Sequence, residues 1–282
     1  MIELGENQYG KSRVRLMKVE RGEAQHRVYE WNVEVWLTGD FTGCFLEGDN
    51  SLILPTDTMK NTVYSLARSS KAKNIEGFAL ELVAHFLDSQ PQVEGAGARV
   101  KSTGWNPVES ARGRQATAFI QTGPEMDTAT VTRSRDASAQ VISGMDEVTL
   151  LKTAGSAFAG FRRDKLTTLK ETEDRLLGTA MTASWTHNQV PGDFDGIRAR
   201  VRDALLATFA QHDSKSVQQT LYAMGQAALI AVSEISSIHL FMPNKHCNLV
   251  DLSPFGQDNP NHIFVPTDEP HGSIEATMRR VE

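Results

Sequence analysis

Two kinds of periodic segment follow one another along this 282-residue chain, and their order is the same in both halves. In the first kind, apolar and polar residues alternate, as from Tyr29 to Leu37, which is typical of a strand with one buried face. In the second kind, apolar residues recur every three to four positions, as from Phe194 to Leu205, which is typical of an amphipathic helix. Strands, then two helices, then strands predict an α+β fold built from two ββααββ repeats with antiparallel sheets.

The predicted elements divide the chain into two domains, 1–135 and 136–282, with the junction in 123–136. Thr56, Asp193 and Ser216 are the predicted N-cap residues of three helices. The predicted strands cover 11–20, 29–37, 98–103 and 115–122, then 128–132, 146–153, 177–185, 235–242 and 247–252. The predicted helices start at 56 and cover 76–88, 194–211 and 217–231.

The charge of the chain limits its partners. Lys and Arg number 29 against 35 Asp and Glu, which gives a formal net charge of −6. Such a chain has no overall attraction for nucleic acid or for an anionic membrane, and it has no run of 18 apolar residues that could span one. An anionic substrate therefore requires a local positive site.

Metal ligands and targeting signals are not recognisable. Cys44 and Cys247 are the two cysteines, and neither combines with histidines at a zinc-binding spacing, so we predict no metal and no cofactor. The N-terminus is acidic and has no apolar core, and the C-terminus lacks the Ser-Lys-Leu peroxisomal signal, so we expect a cytoplasmic protein.

Six separated fragments contain candidate functional residues, each of which has an ordinary structural interpretation. Thr56-Asp57 and 216–218 fit helix starts, which also offer free N–H groups to an anion. Arg175 fits a solvated surface segment, although its guanidinium could pair with a planar anion. Phe158 fits a core. Lys11 and His246 fit ordinary surface or structural positions, although burial would make Lys11 a base and His246 titrates near neutral pH.

Taken together, the fragments resemble the motifs of the urate oxidase family. The resemblance extends from about residue 8 to 279 and rests on motifs at residues 9–11, 49–51, 56–62, 158–175, 216–222 and 243–246. It implies a tandem T-fold whose chains associate into a barrel with a tunnel, as a homo-oligomer, expected to be a homotetramer, with active sites shared between chains. It also implies oxidation of urate by dioxygen and water to 5-hydroxyisourate and hydrogen peroxide, without a cofactor, in purine degradation.

The resemblance further implies a role for each candidate residue. Lys11 and Thr56 form a catalytic dyad and His246 completes a proton relay. Arg175 and Gln218 grip urate, while Phe158 stacks on its ring. Urate also binds the main-chain N–H groups of Asp57 and Val217, and Asn244 with Thr56 holds dioxygen or peroxide. Thr56 and Asp57 of one chain are expected to meet Phe158, Arg175 and Gln218 of its neighbour.

Three departures from the family motifs flank the expected site, namely Ala159, Leu166 and Glu173. Two other functions remain open at this point. One is a zinc-dependent, cyclohydrolase-like T-fold enzyme that acts on purines or pterins, for which the cysteines and histidines give no support. The other is a purine-binding protein without catalysis, which we would expect to lack Lys11, Thr56 or His246.

Overall fold

The structure, a computed structural model, describes residues 2–281, whose contacts divide the chain into two compact units. Unit 1 comprises the residues up to Met145 together with Thr186–Asp195. Unit 2 comprises Asp146–Trp185 together with the residues from Gly196 onward. The division into T-fold domains at 1–135 and 136–282 stays a prediction.

Strands and helices follow the order that the sequence predicts. The elements of unit 1 are β1 (Tyr9–Glu20), β2 (Arg27–Thr38), α1 (Thr42–Glu47), α2 (Thr56–Ser69), α3 (Ile75–Ser89), β3 (Gly95–Ser110) and β4 (Gly113–Ser134). Residues of both units occur in β5 (Gln140–Lys152), β6 (Leu177–His187) and α4 (Phe194–Gln211). Unit 2 contains α5 (Val217–Ala231), β7 (Ile235–Phe241), β8 (Asn244–Leu249), β9 (Phe264–Gly272) and β10 (Glu275–Arg279).

In unit 1 the strands pair in the order β1-β2-β3-β4, and each of these pairs is antiparallel. The alternation that predicts β2 is reproduced in its burial, since Trp31, Val33 and Val35 are almost fully buried. Trp31 stacks on Phe78 of α3, with ring centroids 4.7 Å apart. The apolar face of the sheet and that of the helix therefore form one core, because each removes the other from water.

Strand β4 corrects two predictions about the middle of the chain. The strands expected at 115–122 and 128–132 are one continuous strand, and the junction expected at 123–136 lies mostly within it. The pairing with β3 jumps from Trp105–Gln121 to Thr103–Met126, so the Gly123-Pro124 pair lies in a bulge. A bulge absorbs residues that break a ladder without ending the strand, which explains why glycine and proline do not mark a loop here.

In unit 2 the strand predicted at 247–252 begins and ends three residues earlier, as β8. Strand β7 lies between β6 and β10, and its pairing with β10 is antiparallel. Strand β8 pairs with β9 and meets β6 at a single position, Gly178–Lys245. The sequence pattern also misses α1, β9 and β10, which are short or carry mostly exposed residues.

The helix predictions are confirmed most closely. Helices α4 and α5 have the predicted bounds, and the predicted apolar stripe of α4 is buried along its length. The N-cap role of Asp193 stays a prediction. The α+β class with antiparallel strands is confirmed, whereas the association of chains into a barrel stays a prediction. None of the helices within residues 2–281 is both long enough and apolar enough to cross a membrane.

Candidate active site

Helix α2 begins at Thr56, and no side chain caps its first turn. The N-cap position is occupied by Pro55, and no side-chain cap bond forms there. The first backbone bond of the helix runs from the Met59 N–H to the Pro55 oxygen at 3.1 Å. The N–H groups of Thr56, Asp57 and Thr58 therefore lie at an open helix end, where the helix dipole adds partial positive charge. The prediction of Thr56 as an N-cap is wrong, because Thr56 already has helical geometry.

The Asp57 carboxylate is turned toward its own helix. It accepts hydrogen bonds from Lys60 and from Asn61 Nδ2, the latter at 3.1 Å. The bond from Lys60 is the main cause that lowers the pKa of Asp57, and the charge of Lys11 lowers this pKa further. Strand β1, which carries Lys11, packs against α2. The group of Asp57 that remains for a ligand is its backbone N–H.

Strand β1 places Lys11 on the same face as Tyr9, since successive residues of a strand alternate between faces. Between them, Gly10 lies so close to β2 that a Cβ atom would be 2.1 Å from the Val35 oxygen. The pairing with β2 shifts register directly after Lys11, where Arg13 has a φ of 58°. Close strand contact before Lys11 and a bulge after it together determine where the half-buried Lys11 side chain points.

In unit 2, backbone hydrogen bonds join three segments that are far apart in sequence. The Arg175 N–H donates to the Ser156 oxygen at 2.7 Å, and the Ala157 N–H donates to the Ser214 oxygen at 2.6 Å. Phe158 and Thr172 exchange two hydrogen bonds, at 2.8 and 3.1 Å. Phe158 and Arg175 are thus held beside the segment that leads into α5.

The Arg175 guanidinium lies near the ring of Phe158, with Cζ 5.7 Å from the ring centroid. Burial lowers the pKa of Arg175, but guanidinium groups stay charged in proteins. Among residues 2–281, the buried Nε of Arg175 has no hydrogen-bond partner. A buried donor of a cation without a partner is costly, so this arrangement suits an external anion with a planar face.

Phe161 is a neighbour of Phe158 to which sequence analysis assigns no role. Its ring stacks on Phe158 with centroids 5.0 Å apart and an angle of 13° between the ring planes. Gly160 permits this fold-back, because its φ of 70° lies in the left-handed region that favours glycine. The guanidinium of Arg163 covers Phe161 in turn, 5.0 Å from its centroid. The spacing of two phenylalanines around a glycine is the signal that could have identified this stack.

The start of α5 confirms the predicted N-cap. Ser216 Oγ accepts a hydrogen bond from the Gln219 N–H at 3.1 Å, and Gln219 Oε1 accepts one from the Lys215 N–H at 2.9 Å. The N–H groups of Val217 and Gln218 come before the capped donor and remain at the helix end. Val217 is buried and the Gln218 side chain is exposed.

Asn244 and His246 lie in β8, so the prediction that His246 lies between two strands is wrong. Both residues are partly buried. Asn244 Oδ1 is a buried acceptor with no partner among the described residues. The backbone oxygen of His246 accepts a hydrogen bond from Thr267 Oγ1 at 3.2 Å. Because Lys245 pairs with Gly178, three positions after Arg175, this pairing brings β8 toward the Arg175 segment.

The structure therefore brings the candidates together as two groups, one in each unit. Lys11 of β1, with Thr56 and Asp57 at the start of α2, forms the unit 1 group. The unit 2 group comprises Phe158, Arg175, Val217, Gln218, Asn244 and His246. Within residues 2–281, no group of three or more His, Cys, Asp or Glu side chains is placed to hold a metal ion, and both cysteines are unbridged.

Comparisons with known proteins agree with these motifs. The uricase family model matches residues 7–132 and 141–275. The chain is 44% identical to the uricase of Arthrobacter globiformis over 99% of its own length and 90% of the relative's. It is 38% identical to the uricase of Dictyostelium discoideum over 99% of its length and 98% of the relative's.

Solved structures give the same result. The crystal structure of the Arthrobacter globiformis uricase superposes with a TM-score of 0.94 at 43% identity and covers 99% of this chain and 96% of that chain. A uricase from Bacillus fastidious, at 24% identity and a TM-score of 0.81, shares the fold. Since the family model and both relatives span nearly all of the sequence, the chain belongs to the uricase family.

Proposed function

We propose that this protein oxidises urate with dioxygen and water to 5-hydroxyisourate and hydrogen peroxide, and that it needs no metal or cofactor. The atoms balance, because one oxygen atom is added to the purine ring and two electrons reduce dioxygen to peroxide. Urate that has lost a proton is electron-rich enough to reduce dioxygen itself. The tasks left to the protein are orientation, proton transfer and exclusion of water.

Four members of the unit 2 group, Phe158, Arg175, Val217 and Gln218, are assigned to binding of urate. The observation that carries this assignment is the partly buried Arg175, whose buried Nε lacks a partner among residues 2–281, beside the Phe158 ring. Arg175 would pair with the anionic edge of urate, and Phe158 would stack on its ring. Gln218 would supply amide donors and acceptors at another edge, with the Val217 N–H beside it. A planar anion satisfies all of these groups at once.

The unit 1 group is assigned to proton transfer. Lys11 lies on β1, which packs against α2, and at the start of α2 Thr56 carries a hydroxyl and Asp57 a free backbone N–H. In the proposal, Lys11 takes a proton through the Thr56 hydroxyl, and His246 completes the relay. The positive helix end stabilises the urate anion that results.

Asn244 and Thr56 are assigned to dioxygen and peroxide. The buried Oδ1 of Asn244, which lacks a partner among residues 2–281, supports this assignment. An amide and a hydroxyl can hold peroxide through both donated and accepted hydrogen bonds. The Asn244 amide and the Thr56 hydroxyl would hold the peroxide above the urate ring while protons are transferred to it.

We further propose a homotetramer in which each site combines the unit 1 group of one chain with the unit 2 group of its neighbour. The separation of the candidates into two groups supports this proposal, since each group has its own means of positioning. In a symmetric pair of chains, the same contact then forms two sites.

The activity is tested by following the ultraviolet absorbance of urate and the release of peroxide with chelator-treated protein. We expect both signals to persist at the rate of untreated protein. Activity that disappears with chelator and returns with one metal would contradict the cofactor-free mechanism, and no turnover in either sample would contradict the proposed function.

The shared site is tested by co-assembling Thr56→Ala and Arg175→Ala chains, each nearly inactive alone. A mixed pair contains one site with both defects and one site with none, so half of the sites at mixed interfaces should be active. Two purification tags isolate the mixed species. If a verified mixed assembly is no more active than the better single variant, each site lies within one chain.

A further inference from the structure

We propose that Tyr9 is a positioning residue for the reaction, because its hydroxyl fixes the segment that leads into α2 and so sets Thr56 relative to Lys11. This inference rests on the proposed function. Tyr9 is not assigned any contact with urate or dioxygen, and it acts through the two residues that it aligns.

The key contact joins the two elements of the unit 1 group. Tyr9 precedes Lys11 by two residues, and its hydroxyl accepts a hydrogen bond from the Leu54 N–H at 2.9 Å. Leu54 precedes Thr56 by two residues, and Pro55 between them has no N–H. The Leu54 N–H is therefore the last backbone donor before the helix, and it is used to attach the helix start to β1.

The Tyr9 ring is itself well anchored. It packs edge-on against Phe41, with ring centroids 4.9 Å apart and an interplanar angle of 84°. Phe41 is 1% exposed and belongs to the core of unit 1. Burial is also the main cause that raises the pKa of Tyr9, so its hydroxyl stays protonated and uncharged at neutral pH. A hydroxyl on a ring held in the core is a fixed point for the Leu54 backbone.

The rest of the segment between α1 and α2 is held in other ways. Asp49 accepts a hydrogen bond from the Ser51 N–H at 2.9 Å, and the Ile53 N–H donates to the Asn50 oxygen at 3.0 Å. These bonds shape the segment but do not attach it to β1. Within residues 2–281, the Tyr9–Leu54 bond is the hydrogen bond that connects β1 to residues 48–55.

The consequence for the reaction follows from the distances that proton transfer requires. A general base must lie within hydrogen-bond reach of the proton that it removes, and an error of about 1 Å can cost about 10²-fold in rate. Loss of the Tyr9 acceptor frees the helix start to shift against Lys11. Because Arg175, Phe158 and Gln218, which are assigned most of the urate contacts, do not depend on this bond, urate binding should change much less than the rate.

The test compares Tyr9→Phe with Tyr29→Phe. Tyr29 is a matched control, since it is also partly buried in unit 1 and its hydroxyl also makes a hydrogen bond, to Glu20 Oε2 at 3.2 Å. We expect Tyr9→Phe to lower kcat about tenfold or more, with KM for urate within about twofold. Tyr29→Phe should leave both within about twofold. Equal losses of kcat in the two variants would overturn the inference.

A double-mutant cycle with Lys11→Ala separates positioning from a general loss of stability. If Tyr9 acts by aligning Lys11 with Thr56, Tyr9→Phe should lower kcat less than about twofold further once Lys11 is absent. Multiplicative losses would overturn the inference. Wild-type protein that is active, with an unchanged kcat in Tyr9→Phe, overturns this inference alone, whereas wild-type protein that does not turn over urate overturns the proposed function and the inference with it.

Discussion

The two helix starts that carry candidate residues are built in opposite ways. At α2, Pro55 occupies the N-cap position and the first N–H groups have no side-chain partner. At α5, Ser216 Oγ accepts a hydrogen bond from the Gln219 N–H, and Gln219 Oε1 accepts one from the Lys215 N–H, so the first turn is capped. An open end offers several donors to a ligand, whereas a capped end offers fewer donors at fixed positions. This difference agrees with the proposal that the α2 start takes part in the chemical step and the α5 start in binding.

The charged residues near the two helix starts also differ. Near α2, Lys60 forms an ion pair with Asp57, whose side chain is largely exposed. Near α5, Arg175 is a partly buried cation whose buried Nε has no partner among residues 2–281. We therefore expect substitutions of Lys11 or Thr56 to change mainly kcat, and substitutions of Arg175 or Gln218 to change mainly urate affinity.

The largest expected effect comes from Lys11→Ala. Loss of a general base lowers rates by about 10²–10⁴-fold, so kcat should fall in this range while KM changes little. Lys18→Ala is the matched control, since Lys18 lies on the same strand and its Nζ donates to the Ser70 oxygen at 2.9 Å. Steady-state kinetics would break the comparison if Lys11→Ala kept kcat within about threefold of wild type.

Arg175→Ala should have the next largest effect, on binding. Loss of one partner of a buried charge pair should weaken urate affinity by about 2–4 kcal/mol. Arg175→Lys should recover part of this loss, because the charge returns without the planar fork. Titration with a non-reacting urate analogue measures the affinity, and Arg200→Ala, at an exposed pair with Glu234, is the control. A fall in kcat without a loss of urate affinity would assign Arg175 to the chemical step and not to urate binding.

Ser216→Ala tests the capped start and should affect stability. Removal of an N-cap serine costs about 0.5–2 kcal/mol of unfolding free energy. Ser65→Ala, within α2 and without a capping role, should change the unfolding free energy little. Urea denaturation of both variants gives the difference. A Ser216→Ala protein as stable as wild type would mean that the α5 start does not depend on its cap.

Pro55→Ser tests the open start and should have the smallest effect. The introduced hydroxyl would compete with urate for the N–H of Asp57 or Thr58, so affinity should fall by about 0.5–1.5 kcal/mol, the worth of one hydrogen bond. Pro55→Ala is the control, because it removes the proline without adding an acceptor. Equal affinities in the two variants would show that these donors do not contact urate.

Local sequence patterns predicted most of the helices and strands. They could not predict which distant strands pair with one another. The bounds of α4 and α5 follow from their apolar stripes and from Ser216, all of which are features of one segment. The partner of β7 does not follow from its sequence, because β8 and β10 are both plausible neighbours and the pairing depends on the rest of the sheet. Gly123-Pro124 was misleading for the same reason, since only the partner strand decides between a bulge and a loop.

The candidate site shows the same contrast between local motifs and contacts with distant segments. Sequence motifs identified the residues that the structure gathers into two groups, but the contacts that hold them in place were not readable from the sequence. The Tyr9–Leu54 bond links positions 45 residues apart, and the Arg175–Ser156 bond links a loop to a segment beyond it. Each bond has a backbone N–H as its donor, a group that every residue except proline carries, so residue identity does not reveal which distant acceptor the donor reaches.

The paired backbone bonds of Phe158 and Thr172 also define how the chain can be engineered. They close residues 159–171 into a loop whose neck is fixed, and the exposed Leu166 lies near its tip. Because the neck is fixed, changes at the tip cost mainly loop-closure entropy and should displace the residues at the neck little. A substitution at Leu166 should therefore leave the backbone positions of Phe158 and Arg175 in place, so it can alter the surroundings of the expected site without displacing the residues assigned to urate.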